Sequence, residues 1–237
     1  MSKPFKFKQF TINQDRCAMK VGTDGVLLGA WASLENKPRS ILDIGAGTGL
    51  IALQMAQRSS AEIIDAIEID DNAYEQCVDN FEASDWADRL FCYHSSLQKF
   101  ADEIEDSYDL IVTNPPFYKE KVTSGNKSRD TARQNLSLPF AELIQGVKKL
   151  LSTKGNFALI IPYKEENEFI SLAATYSLFP NYIMRVKGNT ATAYKRSLIQ
   201  FSKKNTEPKK QQLIIEKERH RYTDEYIDLM QNFYLKM

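Results

Sequence analysis

Residues 40–50 read Ser40-Ile41-Leu42-Asp43-Ile44-Gly45-Ala46-Gly47-Thr48-Gly49-Leu50. An apolar run ends in three glycines at alternate positions, and the chain continues through Leu50–Arg58 with apolar residues at helical spacing. This is a strand, a tight turn and a helix, the junction at which open α/β sheets bind nucleotide-like ligands. Glycine permits turn conformations closed to other residues and lets a ligand approach the backbone closely. The spacing is G-x-G-x-G and not the G-x-G-x-x-G of the dinucleotide fingerprint, which leaves NAD as the weaker alternative. Asp43 widens the difference: a carboxylate inside the turn repels a pyrophosphate held at a helix N-terminus.

A ligand with an amino group and no phosphate suits Asp43 better, and S-adenosylmethionine is such a ligand. Gly45, Ala46, Gly47 and Gly49 are then the turn residues around it. Residues 62–69 form the next apolar strand and end at Glu68-Ile69. The two carboxylate oxygens of Glu68 can hold both hydroxyls of a ribose, as acidic residues at such strand ends do for NAD, with Ile69 beside it.

Outward from this junction, short apolar runs alternate with helical segments, the pattern of a parallel sheet covered on both faces. Further strands are expected over 89–93, Tyr108–Thr113, 155–161, 182–186 and 197–202, the last two paired antiparallel at the sheet edge. Helices are expected over 72–83, 139–151, 165–176 and 224–234. The class is α/β, a Rossmann-like, mostly parallel seven-stranded sheet with an antiparallel edge strand and helices on both faces. Residues 1–237 read as one domain: an N-terminal extension 1–39, a core 40–202 and a C-terminal tail 203–237.

The strand Tyr108–Thr113 runs into Asn114-Pro115-Pro116-Phe117. Consecutive prolines end a strand abruptly and stiffen the backbone beyond it. A planar amino group is a poor nucleophile because its lone pair is delocalised into the ring. If the Asn114 side-chain oxygen and the Pro115 carbonyl each accept one of its hydrogens, the nitrogen can pyramidalise and aim its lone pair. Phe117 is placed to stack on the ring, as aromatic residues hold an extruded base. Catalysis of this kind is orientation plus fixed dipoles and needs no strong base.

Composition sets outer bounds. The chain has 31 Lys and Arg against 31 Asp and Glu, with 43% hydrophobic and 26% charged residues, as in ordinary globular proteins. No run approaches the roughly 18 apolar residues of a membrane span. The opening MSKPFKFKQF has no apolar signal core, and Cys17, Cys77 and Cys92 form neither a disulfide framework nor a metal cluster. A reducing cytoplasm, no metal, no membrane and no obligate protein partner are expected. Charge is uneven: residues 59–112 hold about 15 acidic residues against Arg89 and Lys99, whereas 185–221 hold about 11 basic residues against Glu207, Glu216 and Glu218.

The glycine loop and the tetrad resemble the amino-group methyltransferases of the class I fold, over nearly all of 40–202. That group includes adenine-N6, guanine-N2 and glutamine-amide enzymes, so the tetrad identifies the reaction and leaves the acceptor open. The ends of the chain narrow it. Asp15-Arg16-Cys17-Ala18-Met19-Lys20-Val21-Gly22-Thr23-Asp24-Gly25-Val26-Leu27-Leu28-Gly29-Ala30-Trp31, the preceding Phe5-Lys6-Phe7-Lys8-Gln9-Phe10, and the closing Tyr222-Thr223-Asp224-Glu225-Tyr226 and Phe233-Tyr234-Leu235-Lys236-Met237 resemble the bacterial tRNA1(Val) (adenine(37)-N6)-methyltransferase family. The resemblance implies N6-methylation of the adenosine immediately 3′ of the anticodon of a valine tRNA.

The same resemblance implies that Lys20, Thr23 and Asp24 lie near the methionine end of S-adenosylmethionine, and that Asn114 borders the cofactor. On spacing alone, Thr23 or Asp24 serves equally well as a helix cap over a core of Val26, Leu27 and Leu28. The sequence departs from the family after the third core strand. An acidic residue is common there to bind the cofactor adenine, whereas this chain has His94-Ser95-Ser96-Leu97. Ser96 is the replacement candidate and His94 reads as a strand-end histidine. Contacts to tRNA are expected from the polar loop 118–137, with Lys119, Lys121, Lys127, Arg129 and Arg133, and from the basic cluster 195–210. Two rival readings remain: guanine-N2 or glutamine-amide methylation, and a cofactor-binding RNA-interaction protein without turnover.

Overall fold

A computed structural model of the chain describes residues 3–116 and 138–237. In chain order the elements are β1 (Phe5–Lys6), β2 (Thr11–Ile12), α1 (Thr23–Trp31), β3 (Ser40–Ile44), α2 (Leu50–Arg58), β4 (Ile63–Glu68), α3 (Asp71–Glu82), β5 (Leu90–His94), α4 (Leu97–Glu103) and β6 (Tyr108–Thr113). They continue with α5 (Phe140–Leu150), β7 (Leu151–Pro162), a 3-10 turn at Tyr163–Glu165, α6 (Glu166–Thr175), β8 (Phe179–Asn189), β9 (Tyr194–Ser202), β10 (Lys209–Glu218), β11 (Arg221–Tyr222) and α7 (Asp224–Met230). The fold is of the expected class.

Strands β3 to β11 form one sheet in the order β11-β10-β8-β9-β7-β6-β3-β4-β5. Strands β5, β4, β3, β6 and β7 run parallel, and β9 runs antiparallel to both β7 and β8. β6 is central, with Leu110, Ile111 and Val112 fully buried, as its unbroken apolar run requires. One apolar cluster lies on the face covered by α1, α2 and α7, and the other lies under α4, α5 and α6. Helix α5 shows why: Leu143, Ile144, Val147 and Leu150 are buried at helical spacing.

The described sheet has nine strands, two more than the seven expected. β10 pairs in parallel with β8, and the two-residue β11 pairs with β10. β10 reads Lys-Lys-Gln-Gln-Leu-Ile-Ile-Glu-Lys-Glu and buries only Leu213 fully. Backbone pairing rather than apolar alternation holds it, so the hydrophobic pattern that reveals strands is weak there. The β8–β9 pair therefore lies inside the sheet rather than at its rim.

The N-terminal extension is built into the same body. Helix α1 is buried from Gly25 to Trp31 and packs on α2. A Cβ on Gly29 would run into Gln54 Oε1, so the close approach of these two helices depends on glycine. The hairpin β1–β2 and the C-terminus close on each other through the Phe7–Tyr234 bridge and the stacked Phe7 and Tyr234 rings.

Candidate active site

The site forms where β3, β4 and β6 end, because their carboxyl ends lie side by side in register. Ile44 pairs with Ile67 on one side and with Thr113 on the other. Thr113 Oγ1 donates to the Ile44 carbonyl at 2.8 Å, fully buried, and fixes the end of β6 against the start of the glycine loop.

Gly45, Gly47 and Gly49 have φ of +72°, +56° and +78°, the left-handed region in which other residues are strained. Their surroundings differ. A Cβ at Gly45 or Gly47 would meet nothing within 4 Å, while one at Gly49 would stand 2.5 Å from Phe81 Cε1 and 2.9 Å from Cys77 Sγ. Gly49 is thus bound into the contact with α3, and Gly45 and Gly47 line open space. The Gly45 and Ala46 amides donate to the Ile67 carbonyl, which stitches the loop to β4.

Asp43 lies beneath this loop, 1% exposed. Its Oδ2 accepts from the Ala52 amide at 3.1 Å, and its Oδ1 has no donor among the described residues. Burial pushes its carboxyl up from 3.8 to about 7, opposed by the Ala52 amide and helped by the nearby Glu68 charge. A buried carboxylate oxygen without a partner costs free energy, so the position favours a donor such as an ammonium group. The open glycine cradle and this acceptor fit a small amino-acid-bearing ligand without phosphate.

Glu68 sits at the end of β4, and its oxygens are engaged. Oε2 accepts from the Gly47 amide at 2.8 Å, and Oε1 accepts from the Ile69 and Asp70 amides at 2.8 and 2.9 Å. A carboxylate offers about four lone-pair sites, so this residue shapes the glycine loop itself and retains limited capacity for hydroxyls. Ile69 next to it is 51% exposed, an apolar side chain over the rim.

Asn114 and Pro116 are half-buried and Pro115 is buried at the end of β6, while Phe117 and residues 118–137 lie outside the described residues. Asn114 Nδ2 stands 3.9 Å from the point a Gly25 Cβ would occupy, so the first turn of α1 is adjacent to it. Thr23 and Asp24, named from the sequence, stand in that same turn. Neither caps the helix: Gly22 is the N-cap, without a side-chain hydrogen bond, and Thr23 and Asp24 are the first two helical residues. Asp24 Oδ2 accepts from Arg196 Nε at 2.7 Å.

Lys20 turns back on its own segment, donating to the Gln14 carbonyl and, at 2.9 Å, to the Cys17 carbonyl. Ser96 is the N-cap of α4, its Oγ accepting from the Lys99 amide at 3.2 Å. His94 Nε2 lies 3.0 Å from the Ile69 carbonyl and 3.1 Å from Asp71 Oδ1, at the strand end. The Cys17 thiol is buried and pushed up to about 11 by desolvation, which makes it inert.

Gln76 and Asn80 join the site without a motif to mark them. Both are 1% exposed on the inner face of α3. Asn80 exchanges two hydrogen bonds of 2.9 Å with the Asn13 backbone and donates to the Thr48 carbonyl at 2.8 Å; Gln76 accepts from the Arg16 amide at 3.1 Å. Asn80 ties the segment before α1 to the glycine loop, and Gln76 ties it to α3. Their signal was available: polar amides four positions apart on a core-facing helix stripe demand partners.

The family model described as "Methyltransferase small domain" matches residues 24–179. The crystal structure of "a predicted O-methyltransferase, protein Atu636" from Agrobacterium tumefaciens is similar at a TM-score of 0.67 with 19% identity, covering 89% of this chain and 96% of that one, which speaks for the fold alone. Fold, loop and family model define a methyltransferase of the class I kind, the fold that implies S-adenosylmethionine as methyl donor.

Two curated relatives are closer in sequence. A tRNA1(Val) (adenine(37)-N6)-methyltransferase of Christiangramia forsetii is 58% identical over 100% of this chain and 99% of its own length, and one from Bacteroides fragilis is 44% identical over 100% of both. The chain belongs to the tRNA1(Val) (adenine(37)-N6)-methyltransferase family.

Proposed function

We propose that this enzyme transfers a methyl group to N6 of adenosine 37 in a valine tRNA, in the cytoplasm, with residues 1–237 acting as one methyltransferase domain. The observation that carries the reading is the convergence of Asn114 at the end of β6, the first turn of α1 beside it, and the unpartnered Asp43 Oδ1 beneath the glycine loop. The family names its relatives for this substrate.

When bound, S-adenosylmethionine supplies an electrophilic methyl group on a sulfonium. Asp43 would receive its amino-acid portion, with Lys20, Thr23 and Asp24 toward the methionine end. Gly45, Ala46 and Gly47 would line its path, with Gly49 holding the loop on α3, and Glu68, Ile69 and Ser96 would meet the adenosine portion. The Asn114 side-chain oxygen and the Pro115 carbonyl accept the two hydrogens of the adenine amino group. Pro116 stiffens the turn and Phe117 stacks on the base. The chemistry rests on positioned dipoles in place of a general base. Among the described residues no group of His, Cys, Asp and Glu is arranged to hold a metal, and no helix is long and apolar enough to cross a membrane.

The test is tritium transfer from labelled S-adenosylmethionine into RNA from cells lacking the gene, followed by digestion to nucleosides. Label in N6-methyladenosine of a valine tRNA is expected. Label in N2-methylguanosine, in protein glutamine or in nothing overturns the acceptor.

A further inference from the structure

Strands β7, β8 and β9 rise past the end of β6. Thr113 pairs with Leu159, three residues before β7 ends at Pro162, and Pro162 pairs with Arg196 on β9. Arg196 reaches Asp24 on α1, whose neighbour Gly25 faces Asn114. β7 thus ends beside the end of β6, and two tyrosines stand at this tip, backed by Arg185 and Ser197 on the sheet face opposite to that of Arg196. Tyr163, 37% exposed, lies with its ring centre 5.2 Å from that of Tyr194.

Both rings are held by cations rather than by burial. The Arg185 guanidinium lies 5.4 Å from the Tyr163 ring centre, and Lys187 Nζ lies 4.7 Å from that of Tyr194. Arg185 is itself fixed, donating from Nε at 3.1 Å and from Nη2 at 2.6 Å to Glu166, which is 2% exposed and also accepts from Ser197 Oγ at 2.5 Å. Tyr194 donates its hydroxyl to Gln212 Oε1 at 2.9 Å. Among the described residues, neither Lys187 nor the exposed Lys195 has a carboxylate within ion-pair distance.

We propose that Tyr163 and Tyr194, backed by Arg185 and flanked by Lys187 and Lys195, form the platform on which unpaired anticodon-loop bases beside the target adenosine stack. The inference rests on the tRNA reading above. Partly exposed aromatic rings interleaved with cations are the means by which proteins hold single-stranded RNA: rings take the bases and lysines take the phosphates. The mutual pinning of Glu166, Arg185 and Ser197 keeps the platform ordered before RNA arrives, so little ordering remains to be done on binding.

The experiment measures affinity for a synthetic valine-tRNA anticodon stem-loop by fluorescence anisotropy, beside cofactor affinity and thermal stability. The double variant Tyr163→Leu/Tyr194→Leu is expected to weaken stem-loop binding roughly 10- to 100-fold while cofactor affinity stays unchanged. Tyr163→Phe/Tyr194→Phe should retain wild-type binding, since stacking needs the ring and not the hydroxyl. Lys187→Gln/Lys195→Gln should flatten the salt dependence by about one unit of slope per lysine. Wild-type binding by the leucine variant overturns the platform, and so does an equal loss in the phenylalanine variant. If the wild-type protein methylates no tRNA, the functional reading itself has failed; if it methylates tRNA and the leucine variant binds normally, only the platform has.

Discussion

Asp24 and Arg196 are 172 positions apart in sequence and form a hydrogen-bonded ion pair of 2.7 Å that joins the first turn of α1 to β9. Gly25, the residue after Asp24, faces Asn114. The side chains of the pair are 28% and 34% exposed, so it is screened by solvent and worth at most about 1 kcal/mol of stability. Its larger consequence is positional, since it ties the first turn of α1 to β9.

Arg196→Gln should therefore leave the melting temperature within a few degrees of wild type and lower kcat/KM roughly tenfold, since small misplacements of positioning groups are costly. Parallel melting curves and steady-state kinetics check this. A melting point far below wild type would mark the pair as a stability element instead.

Asn114→Ala should reduce turnover by roughly a hundredfold or more, the scale of removing one catalytic hydrogen-bonding group, with tRNA binding retained. Single-turnover methylation of valine tRNA measures it. Near-full turnover would remove Asn114 from the reaction.

Gly47 and Gly49 should separate binding from folding. Gly47→Ala adds a methyl group to open space at a φ of +56°, costing about 1–2 kcal/mol of backbone strain, while it narrows the cofactor cradle. Gly49→Ala forces a Cβ to within 2.5 Å of Phe81 and should destabilise the fold much further. Denaturant titration and calorimetric cofactor binding are the two readouts: the first variant folds but binds S-adenosylmethionine weakly, and the second unfolds early. Equal stability of the two variants would refute the contrast.

Asp43 predicts a pH dependence. Its pKa in the folded protein is raised from 3.8 to about 7. A raised carboxyl pKa contributes stability that is complete below pH 3.8 and lost as pH rises through about 7. Asp43→Asn should thus be more stable than wild type at about pH 8, with the advantage vanishing toward about pH 4. A cationic amino group favours the ionised carboxylate, so wild-type cofactor affinity should rise between about pH 6 and 8 and that of Asp43→Asn should not. Calorimetry in buffers of different ionisation enthalpy reads the proton release directly. Identical pH profiles for the two proteins would rule Asp43 out.

The parts of the molecule visible in the sequence are those that local chemistry controls. The parallel core and the glycine loop were legible because a strand buried on both faces must be apolar throughout and because a turn with positive φ selects glycine. The same holds for Pro115 and Pro116, whose effect on the backbone is local. Strand β10 was not legible, since its apolar residues are confined to the short run Leu213–Ile215 between polar ends and backbone pairing to β8 holds the rest. Helix α4 and its cap, Ser96, were hidden for a related reason: Leu97–Glu103 is too short to establish a helical period.

The class of fold, the glycine loop, the Asn114-Pro115-Pro116 turn and, through the chain ends, the family can all be read from residue order alone. Each depends on residue type at fixed spacing along one stretch of chain. Which distant groups meet follows from folding in three dimensions: Asp24 with Arg196, Asn80 with Asn13 and Thr48, Glu68 with the Gly47 amide, and Tyr163 with Tyr194. Such pairings depend on strand order and register in a nine-stranded sheet, and a one-residue change of register sends every side chain of a strand to the opposite face.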